Sequence, residues 1–246
     1  KDNKSQTIPE ALFWLNRILK PHSLQMRAKL LLITYGPLIS VSPASTSIPY
    51  IGWWDLTDTF FINEGLEELG FALYMLYGQT KSPEDKSNVI LLMEEIMKTP
   101  QNWLFENMAS LLFFAGDDIT YQYFYTKMST ENYSEVAQKL VYLTLIEHKL
   151  TKKTKIVYKM IEKLCSSSEH KHKLMNELPI AFCEAITDID GAIELEDERD
   201  ITELHEIIAA QSDLMKNSFL SNFDMSSQES KQSLTSNDSQ TTPKEE

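Results

Sequence analysis

Few residues of this chain have the type and spacing for chemistry. His170-x-His172, with Glu169 beside it, comes nearest to a metal pair. Imidazole and carboxylate are suitable donors for a divalent ion, but residues two apart do not share a helix face. The plainer reading is polar surface at a helix start. HExxH and paired CxxC are absent. Cys165 and Cys183 fall in apolar helical patterns and have no partnered His for a thiolate mechanism. They read as buried free thiols in a reducing compartment. No Ser stands in a GxSxG elbow, and glycine is scarce, at 7 of 246 residues. The phosphate-cradling loops GxGxxG and GxxxxGK(S/T) therefore do not occur. The adjacent acids Glu67-Glu68 and Glu94-Glu95 lie on helices that need a solvated face, so they read as solubility. This inventory points away from an enzyme, and no catalytic residue, cofactor or metal is expected.

Binding is better represented. Lys149, Lys152, Lys153, Lys155, Lys159 and Lys163 make the stretch up to Lys173 basic, and Glu194, Glu196, Asp197, Glu198 and Asp200 make the next one acidic. The plain reading is two solvated helix faces that pair with each other. The sharper one is a basic groove for an acidic or phosphorylated partner, with Lys152, Lys153 and Lys155 as candidates. Trp53-Trp54 closes a long irregular stretch. Two adjacent rings point in different directions, so either both anchor the loop on the core or one is a partner-binding anchor. The tail holds Ser227-Gln228, Ser239-Gln240 and Thr242-Pro243. Ser227, Ser239 and Thr242 are candidate phosphorylation sites, where added charge creates a docking signal.

The elements that must position these residues are helices. The strongest stretch is Thr99 to Asp118. Thr99 reads as its cap, Pro100 as its first residue and Gly116 as its left-handed stop. Trp103, Leu104, Met108, Leu111, Leu112 and Ala115 recur at helical spacing, and Phe105, Phe113 and Phe114 widen the apolar surface. A helix apolar over most of its circumference needs neighbours on several sides. Further helices are expected at about 9–19, 23–35 and 63–77, from a cap and first-position proline at Ser82-Pro83 to a close at Pro100, after Gly116-Asp117-Asp118, and at 133–149, 152–165, 169–189 and 196–222. The run after Gly116 carries a tyrosine-rich face with its hydroxyls at the solvent edge, and Pro179 should kink or split the helix it falls in. One weak strand pattern, Leu38–Val41, is the exception. The expectation is an all-α fold of stacked antiparallel hairpins, an irregular HEAT-like array of about ten helices. It has a flexible lead (1–8), a helical partner-binding domain (9–223) and a disordered Ser/Gln/Thr/acidic tail (224–246).

Bulk properties agree. An apolar fraction of 42% supports a sizeable core. A net charge of −13 argues against direct nucleic-acid binding by the whole chain. No apolar run is long enough for a transmembrane helix, so no membrane is expected. The opening KDNKSQTIPE lacks the apolar core of a signal peptide. An intracellular place, nuclear or cytoplasmic or both, is expected. The chain begins at Lys1 and not at Met, which reads as a piece of a longer protein.

Two stretches, taken together, resemble a known family. One is FWLNRILKP, Phe13 to Pro21, followed by Ala28-Lys29-Leu30-Leu31 and Tyr35-Gly36-Pro37. The other is NWLFENMASLL with AGDDI, Asn102 to Ile119, followed by the Val136 to Leu145 helix. In this order they are similar to the region downstream of the F-box in the F-box only protein 47 family, from about Ala11 to about Ala210. The resemblance implies an F-box that binds Skp1 and, through it, a cullin-RING ubiquitin ligase. It also implies a helical region that recruits a protein substrate, and a role in meiotic germ cells. No F-box precedes Ala11, so no residue here is assigned to Skp1. The alternative is a helical scaffold of a meiotic or chromosome-associated complex without ligase function.

Overall fold

The computed structural model describes residues 13–37, 59–80, 82–98, 103–166, 168–190 and 204–217. Among them ten helices occur and no strand: α1 (13–19), α2 (Leu24–Tyr35), α3 (Thr59–Gln79), α4 (Pro83–Lys98), α5 (Phe105–Ala115), α6 (Asp117–Ser129), α7 (Tyr133–Thr151), α8 (Lys155–Leu164), α9 (Ser168–Asp190) and α10 (204–217). Leu38–Val41, Trp53, Trp54, Thr99, Pro100, the acidic stretch at 194–200, the lead 1–8 and the tail 224–246 lie outside the described residues.

Local chemistry sets the helix starts. Ser23 caps α2, its Oγ accepting from the Met26 N–H at 3.4 Å. Ser82 caps α4: its Oγ accepts from the Asp85 N–H at 3.0 Å and donates to the Asp85 carboxylate at 2.8 Å. Pro83 takes the first helical position, and Glu84 and Asp85 sit at the positive end of the helix dipole. Apolar residues at helical spacing are buried: Leu66, Leu69, Leu73 and Leu76 in α3, and Val89, Leu92, Met93 and Ile96 in α4.

The helices form two layers. α3 packs on α5, α5 on α7 and α7 on α9. In the second layer α2 packs on α4, α4 on α6 and α6 on α8. Consecutive helices pair across the layers, as in α3 with α4, α5 with α6 and α7 with α8. Each hairpin thus buries its inner face against the next, and the apolar side chains merge into one core from Leu19 to Leu214. α7 lies between α5 and α9 with α6 and α8 across from it. It is accordingly buried through the run Leu140 to Glu147.

Two glycines shape the contact of α5 with its neighbours. A Cβ on Gly70 of α3 would lie 2.6 Å from the Phe114 Cβ and 2.8 Å from its carbonyl carbon, so α3 meets α5 backbone to side-chain root. Gly116 alone joins α5 to α6, with φ 90° and ψ 160°. This region is nearly closed to residues with a Cβ. The turn is tied by the buried Thr120 hydroxyl, which donates to the Leu112 carbonyl at 2.6 Å and so satisfies an orphan acceptor in the last turn of α5.

Several expectations change. α5 begins at Phe105, so Trp103 and Leu104 precede the helix; Trp103 is still buried, whereas Leu104 is exposed. Phe113 and Phe114 are half-buried against the core and Leu111 and Leu112 fully buried. Tyr123 of α6 is not at a solvent edge but buried at 1% exposure. α3 runs through Gly78 to Gln79, and α8 starts at Lys155 and not at Lys152. Pro179 does not split α9; Met175, whose carbonyl it leaves without an N–H partner, is exposed, as is Pro179. Cys183 is exposed and Cys165 half-buried, both as free thiols. Phe13, Trp14 and Ile18 are more than half exposed. On α1, at the end of the stack, Leu19 alone reaches full burial.

Candidate functional site

The basic residues singled out from the sequence gather at the corner between α7 and α8. α7 ends when Lys152 turns left-handed, at φ 56°, with its N–H on the His148 carbonyl at 2.7 Å. The first N–H groups of α8 then have no partner within the helix. Side chains from elsewhere take them. Glu147, one turn before the end of α7, accepts from the N–H groups of Ile156 and Val157, both at 2.9 Å. Asp213 of α10 accepts from the Thr154 N–H at 3.0 Å and from its hydroxyl at 2.8 Å. Asn217 donates to the same hydroxyl oxygen at 3.1 Å. Two carboxylates at the positive end of a helix are also favoured by its dipole.

Glu206 of α10 completes the corner. It holds Lys152 at 2.8 and 3.0 Å and lies 3.2 Å from His148. The Lys152 hydrogen bond is the largest influence; with the charges of Lys152 and His148 it outweighs the opposing effect of burial and holds the carboxyl below the usual range. Glu147 goes the other way. Its burial, at 1% exposure, raises its pKa and outweighs the two backbone N–H groups that lower it. α10 is thus fixed by polar contacts at the corner and by Ile207, Ala210 and Leu214 in the core.

On the outer side, α8 turns Val157, Met160, Ile161 and Leu164 inward. Lys155, Lys159 and Lys163 are exposed and follow one another at i, i+4 and i+8. Lys163 stands over the Tyr121 ring of α6, 3.8 Å from its centroid, and Tyr121 stacks on Tyr125 at 6.1 Å. Of the three candidate lysines, Lys152 is engaged by Glu206, while Lys153 and Lys155 are exposed at the entrance to this row. Periodicity within 155–163 carried the signal for Lys159 and Lys163, hidden by treating the basic run as one block.

A second polar cluster is buried between α6 and α7. The Lys139 ammonium, on a residue 6% exposed, donates to the Tyr123 hydroxyl at 2.7 Å and to the Glu135 carboxylate. Lys127 lies 4.0 Å from Glu135 and 3.4 Å from Glu94 of α4. Burial pushes the Lys139 pKa down despite Glu135, and pushes the Tyr123 hydroxyl well up, helped by Glu135 and Glu94. For Glu135, burial raises the pKa, but Lys139, with Lys127 and Lys98, outweighs it and the net shift is downward. Tyr123 and Lys139 are buried and engaged with each other, which reads as a structural pin between helices.

His170 is half-buried, with Nδ1 2.8 Å from the Tyr133 hydroxyl; it ties α9 to α7, whereas His172 is exposed, as polar surface at a helix start would be. Among the described residues no group of three or more His, Cys, Asp or Glu side chains is placed to hold a metal ion, and no helix is long and apolar enough to cross a membrane. Open clefts lined by none of the corner residues include one of about 440 Å³ between α4 and α6, lined by Tyr77, Lys86, Ile90, Glu94 and Gln122, and one of about 590 Å³ among α1 to α4. Trp53, Trp54, Ser227, Ser239 and Thr242 lie outside the described residues.

Of the residues that carry the family resemblance, Phe13, Trp14 and Ile18 are exposed, whereas others are structural. Gly36-Pro37 is the turn onto which Gly65 of α3 packs, with no room there for a Cβ, and Trp103, Glu106 and Asn107 are buried at the start of α5. The family described as "FBXO47, ARM repeats" matches residues 1–242. F-box only protein 47 of Homo sapiens is 28% identical over 214 residues, which cover 84% of this chain and 46% of that protein. Its Mus musculus counterpart is 26% identical over the same span. The chain thus spans about half the length of these curated relatives, and no solved structure matches it. Family match and two-layer helical stack agree: the chain belongs to the F-box only protein 47 family and represents its ARM-repeat region.

Proposed function

We propose that this stack is the substrate-recognition region of an F-box protein acting in a Skp1–cullin–F-box ubiquitin ligase. The observation that carries the reading is the family match over almost the whole chain, since F-box proteins are adaptors that hold a substrate beside a ligase. The architecture supports it. A stack of hairpins offers a long exposed surface on a rigid core, and the buried polar clusters are occupied in joining helices. In this reading the chain performs no chemistry: it binds a protein, and other subunits transfer ubiquitin. Skp1 and cullin are reached through an F-box elsewhere in the longer protein. The protein acts inside the cell, in the nucleus or cytoplasm or both, in meiotic germ cells.

The test is affinity purification of the full-length protein from germ tissue, intact and with residues 13–217 deleted. The reading expects Skp1 and cullin in both samples and one or more protein partners in the intact sample alone. Partners that depend on the stack in the absence of Skp1 would favour a scaffold of a meiotic or chromosome-associated complex.

A further inference from the structure

We propose that the outward face of α8 is a docking surface for an acidic protein segment, one dense in Asp and Glu. The inference rests on the reading of the stack as a partner-binding region and gives that region a surface and a partner chemistry. Lys155, Lys159 and Lys163 stand in one row because residues four apart are neighbours on a helix. The inward set Val157, Met160, Ile161 and Leu164 fixes which way the row faces. Lys153 extends it at one end. At the other, Lys163 lies on the Tyr121 ring, and the stacked Tyr121 and Tyr125 carry the surface onto α6. Tyr125 is half exposed.

Charge complementarity names the occupant. Lys127, Lys139, Lys152 and Lys173 each meet a carboxylate. Among the described residues none lies within ion-pair distance of Lys153, Lys155, Lys159 or Lys163. Glu162 is the single acid in α8, and the carboxylates at its start, Glu147 and Asp213, are engaged with backbone N–H groups. In a chain of net charge −13, a row of ammonium groups thus stands in one place with no carboxylate partner among the described residues. Carboxylates spaced along a peptide match such a row, and the lysine stems and tyrosine rings offer apolar contact between them.

The test uses the 246-residue chain and a fluorescein-labelled peptide of repeating Glu-Glu-Leu triplets, with a Gln-Gln-Leu peptide and a single-stranded oligonucleotide of similar length as comparisons. Binding is read by fluorescence anisotropy at low and raised salt. The acidic peptide should bind best and weaken as salt screens the contact. Reversal of the row, Lys155→Glu with Lys159→Glu and Lys163→Glu, should weaken it about tenfold or more. An equal reversal elsewhere, Lys20→Glu with Lys29→Glu and Lys216→Glu, should change it by about twofold at most. Circular dichroism checks folding, and Lys→Gln at the same three positions replaces the reversal if that variant does not fold. Equal loss in both reversals, equal binding of the neutral peptide, or tighter binding of the oligonucleotide would overturn the proposal. The assay contains no Skp1 or cullin, so its outcome stands apart from that of the ligase reading.

Discussion

Glu147→Ala isolates the joint between α7 and α8. The wild-type carboxylate accepts two N–H groups at 2.9 Å, one buried on Val157 and one partly exposed on Ile156. Truncation leaves both without a partner. Water can reach Ile156, which is 36% exposed, but not Val157, at 1%. One buried orphan donor costs about 1–3 kcal/mol, and the loss of a charged acceptor from the hydrated one adds about 1 kcal/mol. The expected loss is about 2–4 kcal/mol, equal to about 5–15 °C in Tm for a chain of this size. Glu147→Gln retains a carbonyl acceptor and removes a charge that burial opposes, so its loss should stay within about 1 kcal/mol. Thermal melts followed by circular dichroism at neutral pH give both values. An Ala variant that melts with the parent would refute the capping role, and a Gln variant as damaged as Ala would show that charge rather than acceptance holds the corner.

Other outcomes follow from the same geometry. Gly70→Ala places a Cβ 2.6 Å from the Phe114 Cβ and should destabilise by about 1–3 kcal/mol through forced separation of α3 and α5, read as a lower urea midpoint. Trp103→Ala empties a buried site at the start of α5 and should lose about 3–5 kcal/mol; a variant that keeps its Tm but loses a partner would place Trp103 at an interface. Tyr123→Phe removes one of the two acceptors of the buried Lys139 ammonium and should lower stability by about 1–3 kcal/mol in denaturant titration. Glu206 has its pKa lowered from the ordinary 4.5. Its contribution is therefore full above about that pH and lost as pH falls through the folded value. Hydrogen exchange, corrected for intrinsic rates, should show α10 loosening across that acid window, and Glu206→Gln should abolish the effect.

How far the fold could be read in advance follows from which signals are local. Helix starts are local, so the beginnings of α2 near Ser23 and of α4 at Pro83 were legible. Trp103 was placed inside a helix because its hydrophobicity fits the periodicity of α5; the sequence does not show that the chain turns only after Leu104. Tyr123 looked like a solvent-edge residue because its partner Lys139 lies on the next helix, sixteen residues away. The corner was the least legible part. Glu147 reads as the polar edge of an amphipathic helix, and only the return of α10 brings Asp213 and Glu206 to Thr154 and Lys152. Lys152, singled out from composition, is therefore occupied, while Lys155, Lys159 and Lys163 point outward.

If the proposed function holds, proteins held by this stack are delivered for ubiquitin transfer. The most direct measurement is the half-life of a stack-dependent partner in germ cells, with cullin ligase activity intact or blocked. The account predicts that blocking lengthens the half-life, and that deleting residues 13–217 has the same effect without further increase when the two are combined. A partner that binds through the stack yet keeps the same half-life in all four conditions would contradict the claim and leave the stack as a scaffold.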